Sequence, residues 1–324
     1  MGYKLAGFDV IGCNEIDPKI MDVYKANHHP KYAFLESIET FKDRDDLPEE
    51  LYHLDILDGS PPCSTFSLAG LRDKAWGKMK KFREGQAEQV LDQLFFHFID
   101  LAKKLQPKVV VAENVKGMLI GDAIKYVEQI HKEFDEAGYY CQHFLLDGTT
   151  MGLPQKRQRV FFLCLRKDLA RPFLKPISLF EVMPFIDMKF NEDVIPYKEF
   201  ETDDGPIIFP SYKKYWEQRI PGERSVADAV LRLENKVKFF NATYCFSDEP
   251  VNTVTAHANS NIVYDTGRFL SDTEVKLASS FPLDFDNNGF KDSTYFCGMS
   301  VPPIMMANVA SRVWEHWLSK LQKN

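Results

Sequence analysis

An α/β fold, a doubly wound and largely parallel sheet, is predicted by three features of the sequence. Through the first half, short apolar runs alternate with helical patterns, the order expected of strand–helix units. One run, KVVVA at 108–112, shows no polar alternation and reads as a buried-type strand. From about 168 to 261 the rhythm is lost. Prolines and aromatics become frequent there, and the stretch predicts a separate, smaller, loop-rich domain.

Taken in order, FDVIGC at 8–13 predicts a strand. Residues 18–29 predict a helix with Pro18 in its first turn, where a missing N–H costs nothing. LDILD at 54–58 predicts a strand ending at the Gly59-Ser60-Pro61-Pro62 turn. Over 86–105, Val90, Leu91, Leu94, Phe95, Phe98, Leu101, Ala102 and Leu105 share one broad face, a helix stopped by Gln106-Pro107. After the 108–112 strand, a further helix covers about 122–137 and ends at Gly138, placed as a C′ glycine. Strands at about 139–146 and 159–165 flank a turn-rich TTMGLPQKR segment. A last helical pattern, 299–322, follows Gly298 and contains Val301-Pro302-Pro303. In such a sheet, ligands gather at the carboxyl ends of the strands.

Composition narrows the classes. Of 324 residues, 44% are hydrophobic and 27% charged, which is globular rather than fibrous or disordered. No run of eighteen apolar residues and no basic-then-apolar leader occurs, so a soluble, unsecreted protein is expected. Six cysteines (13, 63, 141, 164, 245, 297) form no C-x-x-C pair, which points to reduced thiols. The formal charge of −7 is unevenly spread. Residues 36–58 are acidic, whereas 72–83 carries six cations against Asp73 and 156–175 carries seven against Asp168. Two basic stretches beside candidate chemical motifs predict a polyanion groove.

Those motifs follow strands. Cys63 lies in a proline-stiffened loop before a candidate helix start, where a thiol becomes nucleophilic. Glu113-Asn114 follows KVVVA, so the carboxyl group is partly desolvated and suited to holding or donating a proton. Alternation places Arg157 and Arg159 on one face, where two guanidinium forks could converge on one oxyanion or carbonyl. Asn14-Glu15-Ile16-Asp17 follows the first strand, and an acid at that edge suits ribose hydroxyls.

In this order, Pro61-Pro62-Cys63-Ser64, Glu113-Asn114-Val115, Gln155-Lys156-Arg157-Gln158-Arg159 and Gly298-Met299-Ser300-Val301-Pro302-Pro303 resemble the motif series of C5 cytosine-specific DNA methyltransferases, bacterial or phage type. The resemblance covers essentially the whole chain. It implies a Rossmann-like methyltransferase domain, 1–167 plus 262–324, with an inserted target-recognition domain, 168–261. It implies S-adenosylmethionine as cofactor, double-stranded DNA as partner and no metal. Cys63 would add to C6 of a flipped-out cytosine, Glu113 would protonate N3, and Asn114 would brace the loop. Arg159 would contact the cytosine O2, and Arg157 would orient the catalytic loop or bind phosphate. Glu15 would hold the ribose and Ile16 the adenine face, with Ser37, Ile38, Pro62, Leu94, Ser300 and Val301 lining the rest. A monomer in the cytoplasm of a bacterium or phage-infected host, functionally paired with a cognate restriction endonuclease, is the implied setting.

The sequence departs from the family pattern at one important place. The family's first strand and its Phe-x-Gly-x-Gly loop, expected before residues 1–10, are not found. Weak or no methylation is therefore the alternative expectation, that of a catalytically impaired DNA-binding remnant. Met299 stands where the family has Asn, and Ser37 where an Asp commonly meets adenine.

Overall fold

The computed structural model describes residues 1–61, 93–178, 181–256 and 260–321, together with the backbone of residues 79–80 and 89–90. The first half contains α1 (Gly2–Leu5), β1 (Gly12–Glu15), α2 (Pro18–His28), β2 (Tyr32–Leu35), α3 (Ile38–Lys42), β3 (Ile56–Gly59), β4 (Met79–Lys80), β5 (Gln89–Val90), α4 (Leu94–Leu105), β6 (Val109–Val115), α5 (Ile124–Glu136), β7 (Tyr139–Asp147), β8 (Gln155–Lys156) and β9 (Gln158–Arg166). The second half adds β10 (Leu174–Pro176), β11 (Val182–Pro184), α6 (Pro210–Trp216), α7 (Val226–Glu234), β12 (Thr243–Cys245), β13 (Val251–Asn252), β14 (Asn261–Val263), α8 (Asp272–Ala278), α9 (Thr294–Met299), α10 (Pro303–Val313) and α11 (Ser319–Leu321).

The chain divides into two compact units, one of 10–146, 158–189 and 309–324, the other of 1–9, 147–157 and 190–308. The first, the sheet unit, is built on strands in the order β3-β6-β9-β7. β6 fills its centre because Val109, Val110, Val111 and Ala112 bury completely. Each buried valine stabilises by roughly 1.5–3 kcal/mol over leaving it exposed. α4 lays Phe95, Phe98 and Ala102 onto this sheet, and α5 adds Val127, Ile130 and Phe134 to the same core. α2 begins at Pro18 as expected, with Asp17 as its N-cap, and Gly138 after α5 has φ +92°.

β1 and β2 pair in parallel, Gly12 opposite Tyr32, in a separate ladder. Among the described residues, no strand joins β1 to β3. What ties this pair to the sheet is a cluster of side chains: Phe41, Leu47, Leu51, Leu101 and Leu105, with Tyr32, Phe34 and Leu57 packed against it.

The loop-rich unit centres on α6 and α7, which pack Tyr215, Val226, Ala229 and Val230 against Ala242, Tyr244, Ile262 and Phe269. Two short parallel pairs, β12–β14 and β8–β13, complete it. Two of its buried charges pair with each other. Arg268 donates to both carboxylate oxygens of Glu274, at 2.8 and 2.9 Å, and Tyr197 donates its hydroxyl to the same group at 2.7 Å. Ser271 and Glu274 form a capping box at the start of α8.

Several expectations shift. The sheet is not parallel throughout: β3–β6 is parallel, but β9 runs antiparallel to β6. The 148–157 connection from β7 is too short for the crossover that parallel strands require. The helix expected from 86 begins at Leu94, since 89–90 pairs as a strand with 79–80. The final helix opens at Pro303 rather than 299, after an extended Ser300. The two compact units divide the chain elsewhere than at 167/168 and 261/262. Residues 168–189 go with the sheet unit, where Gln142 and Trp317 donate to the carbonyls of Pro184 and Phe185. Residues 262–308 go with the loop-rich unit through the Arg268–Glu274–Tyr197 network. No helix among the described residues is long and apolar enough to cross a membrane.

Candidate active site

Glu113 stands near the carboxyl end of β6, 7% exposed. In the β6–β9 ladder Glu113 is opposite Phe161 and Val115 opposite Arg159, so Glu113 and Arg159 are diagonal neighbours on one face. Arg159 Nε lies 2.9 Å from Glu113 Oε1, and its Nη1 donates to the carbonyl of Gln158 at 2.9 Å. Burial pulls the Arg159 pKa down while Glu113 opposes it. Arginine starts far too high to lose its charge.

Asn114, one residue on, faces the other way. Its Nδ2 donates to the carbonyl of Pro61 at 3.0 Å while its Oδ1 accepts from the N–H of Val115 at 2.8 Å. Pro61 immediately precedes Pro62 and Cys63 in the sequence. Both of those lie outside the described residues, as does most of the basic stretch 72–83.

The five described cysteines are poor candidates for a nucleophile, and burial pushes the Cys164 thiol well up. Burial pushes the thiols of Cys245 and Cys297 up to about 12 and, with Glu15, that of Cys13 up to about 11. Burial also works against ionising Cys141, but hydrogen bonding to Cys164 and His131 outweighs it and holds that thiol low; at 4% exposure it is closed to a substrate.

Arg157 belongs to the loop-rich unit and is 1% exposed. Its Nη1 donates to the carbonyl of Val254 at 3.0 Å, and its Nη2 donates to those of Gly298 at 2.9 Å and Ser300 at 2.8 Å. The expected convergence of both guanidinium forks on one acceptor is therefore not met. Nor is Arg157 offered to phosphate: it fastens the 254 segment to the terminal Gly298–Ser300 segment. Gln155, which the sequence reading passed over, completes the clamp from full burial. It accepts from the N–H of Val254 at 3.1 Å and donates to the carbonyl of Ala278 at 3.1 Å. The signal was its parity with Arg157 in the Gln-x-Arg pattern, which puts both side chains on one face.

The groove expected from 156–175 also needs correction. Lys156 pairs with Glu249, Arg166 with Asp168 and Lys167 with Asp135. Arg157 and Arg159 are thus held by buried partners, whereas these three pairs lie at the surface, where ion pairs are weak.

For a nucleotide, the carboxyl ends of β1 and β2 bring Glu15, Ile16, Ser37 and Ile38 to one edge. The N–H of Glu36 donates to the carbonyl of Glu15 at 3.1 Å. Asn14, also missed, locks this edge by donating to the carbonyls of Phe34 and Glu36 at 3.2 and 2.8 Å. Glu15 Oε1 accepts from the N–H of Asp17 at 2.8 Å, and Ser37 caps α3 through the N–H of Thr40. The donor set suits a nucleoside: a carboxylate for a diol beside two aliphatic side chains. Leu94 is 4% exposed in the first turn of α4, and Ser300 and Val301 fall in the loop-rich unit.

The family model described as C-5 cytosine-specific DNA methylase matches residues 1–315. The chain is 37% identical over 169 residues to type II methyltransferase M.FnuDI of Fusobacterium nucleatum, an alignment taking in 52% of this chain and 44% of that protein. It is 26% identical over 325 residues to type II methyltransferase M1.HphI of Haemophilus parahaemolyticus, covering 97% of this chain and 82% of the relative. In fold it is similar to a prophage-encoded E. coli protein described as a DNA modification methyltransferase, with a TM-score of 0.64, 20% identity, and coverage of 97% and 94% of the two chains.

Proposed function

Because this chain belongs to the C-5 cytosine-specific DNA methylase family, we propose that it methylates C5 of a flipped-out cytosine in duplex DNA through a covalent bond between Cys63 and C6. The observation that carries this reading is the buried Glu113–Arg159 pair, with Asn114 beside it holding the Pro61 carbonyl two residues before Cys63.

The chemistry needs each of them. C5 of an intact cytosine is a poor nucleophile, and the ring must leave the stack, at a cost of a few kcal/mol, before a thiol can reach it. The Cys63 thiolate forms a bond to C6, and the C5=C6 electron pair moves toward C5. Glu113 takes part in this step in its protonated form, giving the proton to N3 as charge builds there and taking it back when the ring is restored, while Arg159 holds that carboxyl group in place and would reach O2 through its remaining N–H groups. Glu15 would hold the ribose and Ile16 the adenine of S-adenosylmethionine, with Ile38 among the lining side chains; that cofactor would supply an electrophilic methyl group to the C5 electron pair, its sulfur leaving as a neutral thioether. Loss of the C5 proton to a base then expels Cys63 and restores the ring. The partner is double-stranded DNA, bound by a monomer in the cytoplasm, and the inserted 168–261 region supplies target recognition. The relatives' type II names suit a restriction–modification pair.

Duplex DNA carrying 5-fluorocytosine tests this, since fluorine cannot leave as a proton would. With S-adenosylmethionine present, a denaturation-resistant adduct mapping to Cys63 is expected. A methyl transfer that survives Cys63→Ala would end the proposal.

A second reading, DNA binding with little or no methyl transfer, is favoured by the break between β1 and β3, which leaves the proposed nucleoside edge outside the main ladder. Calorimetric titration with S-adenosylmethionine separates the two, because micromolar binding refutes the impaired form.

A further inference from the structure

We propose that the loop 235–241 (NKVKFFN) is a duplex-DNA contact of the loop-rich unit, with Lys236 and Lys238 meeting phosphates and Val237 and Phe240 pressing on base edges. It rests on the reading of the chain as a DNA methylase.

Three observations carry it. The first is how the loop is held. α7 ends at Asn235 in the left-handed region, φ +52°, and Phe239 also sits there at φ +60°. For a bulky side chain that is a genuine outlier, and it persists only where the surroundings impose it. Here the Phe239 ring packs 4.9 Å from Tyr212 and 6.1 Å from Tyr215, while its carbonyl accepts from the N–H of Ala242 at 2.9 Å. One aromatic is anchored inward and the loop is fixed around it.

The second is what that anchoring turns outward. Val237 is 79% exposed and Phe240 59%, two large apolar groups within four residues that the fold does not bury. A single exposed apolar side chain is ordinary. A pair presented by a strained, anchored loop is a contact surface.

The third is charge. The protein carries −7 overall, yet 235–241 holds two lysines and no acid, and α6 beside it adds exposed Lys213 and Lys214. Glu234, the nearest acid, is shared at 3.4 Å by both Lys214 and Lys236 on the surface. Exposed pairs of this kind are weak and readily exchanged for a phosphate. Lys238 forms no ion pair among the described residues. Lysine is depleted from protein–protein interfaces, whereas lysine beside an apolar reader is the ordinary composition of a DNA contact.

Fluorescence anisotropy with short labelled duplexes carrying a randomised core tests the assignment in the full chain. Lys238→Gln should weaken binding and flatten the slope of log affinity against log salt by about 0.9. Phe240→Ala should weaken binding about tenfold and leave that slope unchanged. Both variants should keep the wild-type melting temperature. If wild-type protein binds and both variants match it, this inference falls while the proposed function stands. If only self-association changes, the loop is a protein contact and the inference falls again. A folded wild-type chain that binds no duplex would overturn both.

Discussion

Arg157 and Arg159 are two residues apart, yet their guanidinium groups serve different partners. Arg159 faces one carboxylate, so replacing it should act on chemistry. Arg159→Gln is expected to slow adduct formation by about 10²-fold, the scale of losing one electrostatic donor at a reacting oxygen, and to lower the melting temperature as well, because the buried Glu113 carboxylate loses its partner. Arg157 satisfies three carbonyls from full burial, so Arg157→Met should act on stability. Each stranded acceptor costs about 1–3 kcal/mol, and a melting point lowered by several degrees with loss of activity is expected. A melt equal to wild type would show that the clamp is not needed.

A third residue predicts a pH response. Arg224, most strongly, and Lys156 hold the Glu249 carboxyl group down from 4.5 to about 2. A carboxylate depressed in the folded state contributes stability above its unfolded value and loses it as pH falls through the folded one. Denaturation profiles should therefore steepen from about pH 4.5 toward pH 2, and Glu249→Gln should remove part of that slope, the rest belonging to Glu234, which Tyr215 and the neighbouring lysines also hold down to about 2. Glu113, Asn114 and Arg159 were readable in sequence because each sits at a strand end within a short polar motif. Gln155 offered only its parity with Arg157, and Asn14 offered nothing, since an amide's role shows only once its backbone partners are known.

At the element scale, the α4–β3 contact depends on a residue with no side chain. A Cβ on Gly59 would lie 2.4 Å from the ring of Phe98, itself 4% exposed. The ring has nowhere to go, so Gly59→Ala should destabilise by about 1–3 kcal/mol, measured by urea unfolding. Adding Phe98→Leu should recover part of the loss, and no recovery would mean the strain lies elsewhere. The elements most legible in sequence were those with hard punctuation: Pro18 opening α2, Gly138 closing α5, and the unbroken valines of β6. α4 was misjudged at its start because its apolar spacing runs on through 89–90. That stretch pairs as a strand instead, a tertiary choice that periodicity cannot reveal. The short strands of 190–308 carried no pattern long enough to read.

At the scale of the whole molecule, the sheet unit has an uneven mechanical make-up. β3, β6, β9 and β7 share one continuous ladder, so opening any of them breaks backbone hydrogen bonds on a neighbour. Among the described residues, the β1–β2 pair has only its own ladder and packs on the rest through the side chains around Phe41, Leu51, Leu101 and Leu105. Side-chain contacts can loosen without unzipping a strand, so this pair should form the least protected part of that sheet. Yet it carries Glu15, Ile16, Ser37 and Ile38, the proposed nucleoside edge. A ligand that binds the folded state alone stabilises what it touches in proportion to its saturation. Hydrogen exchange should therefore show β1 and β2 exchanging well before β6 and β9 in the free protein, and slowing selectively when S-adenosylmethionine is added. Uniform exchange across all strands would remove the weak point inferred from the split ladder. Protection that appears elsewhere, with β1 and β2 unchanged, would move the cofactor away from Glu15.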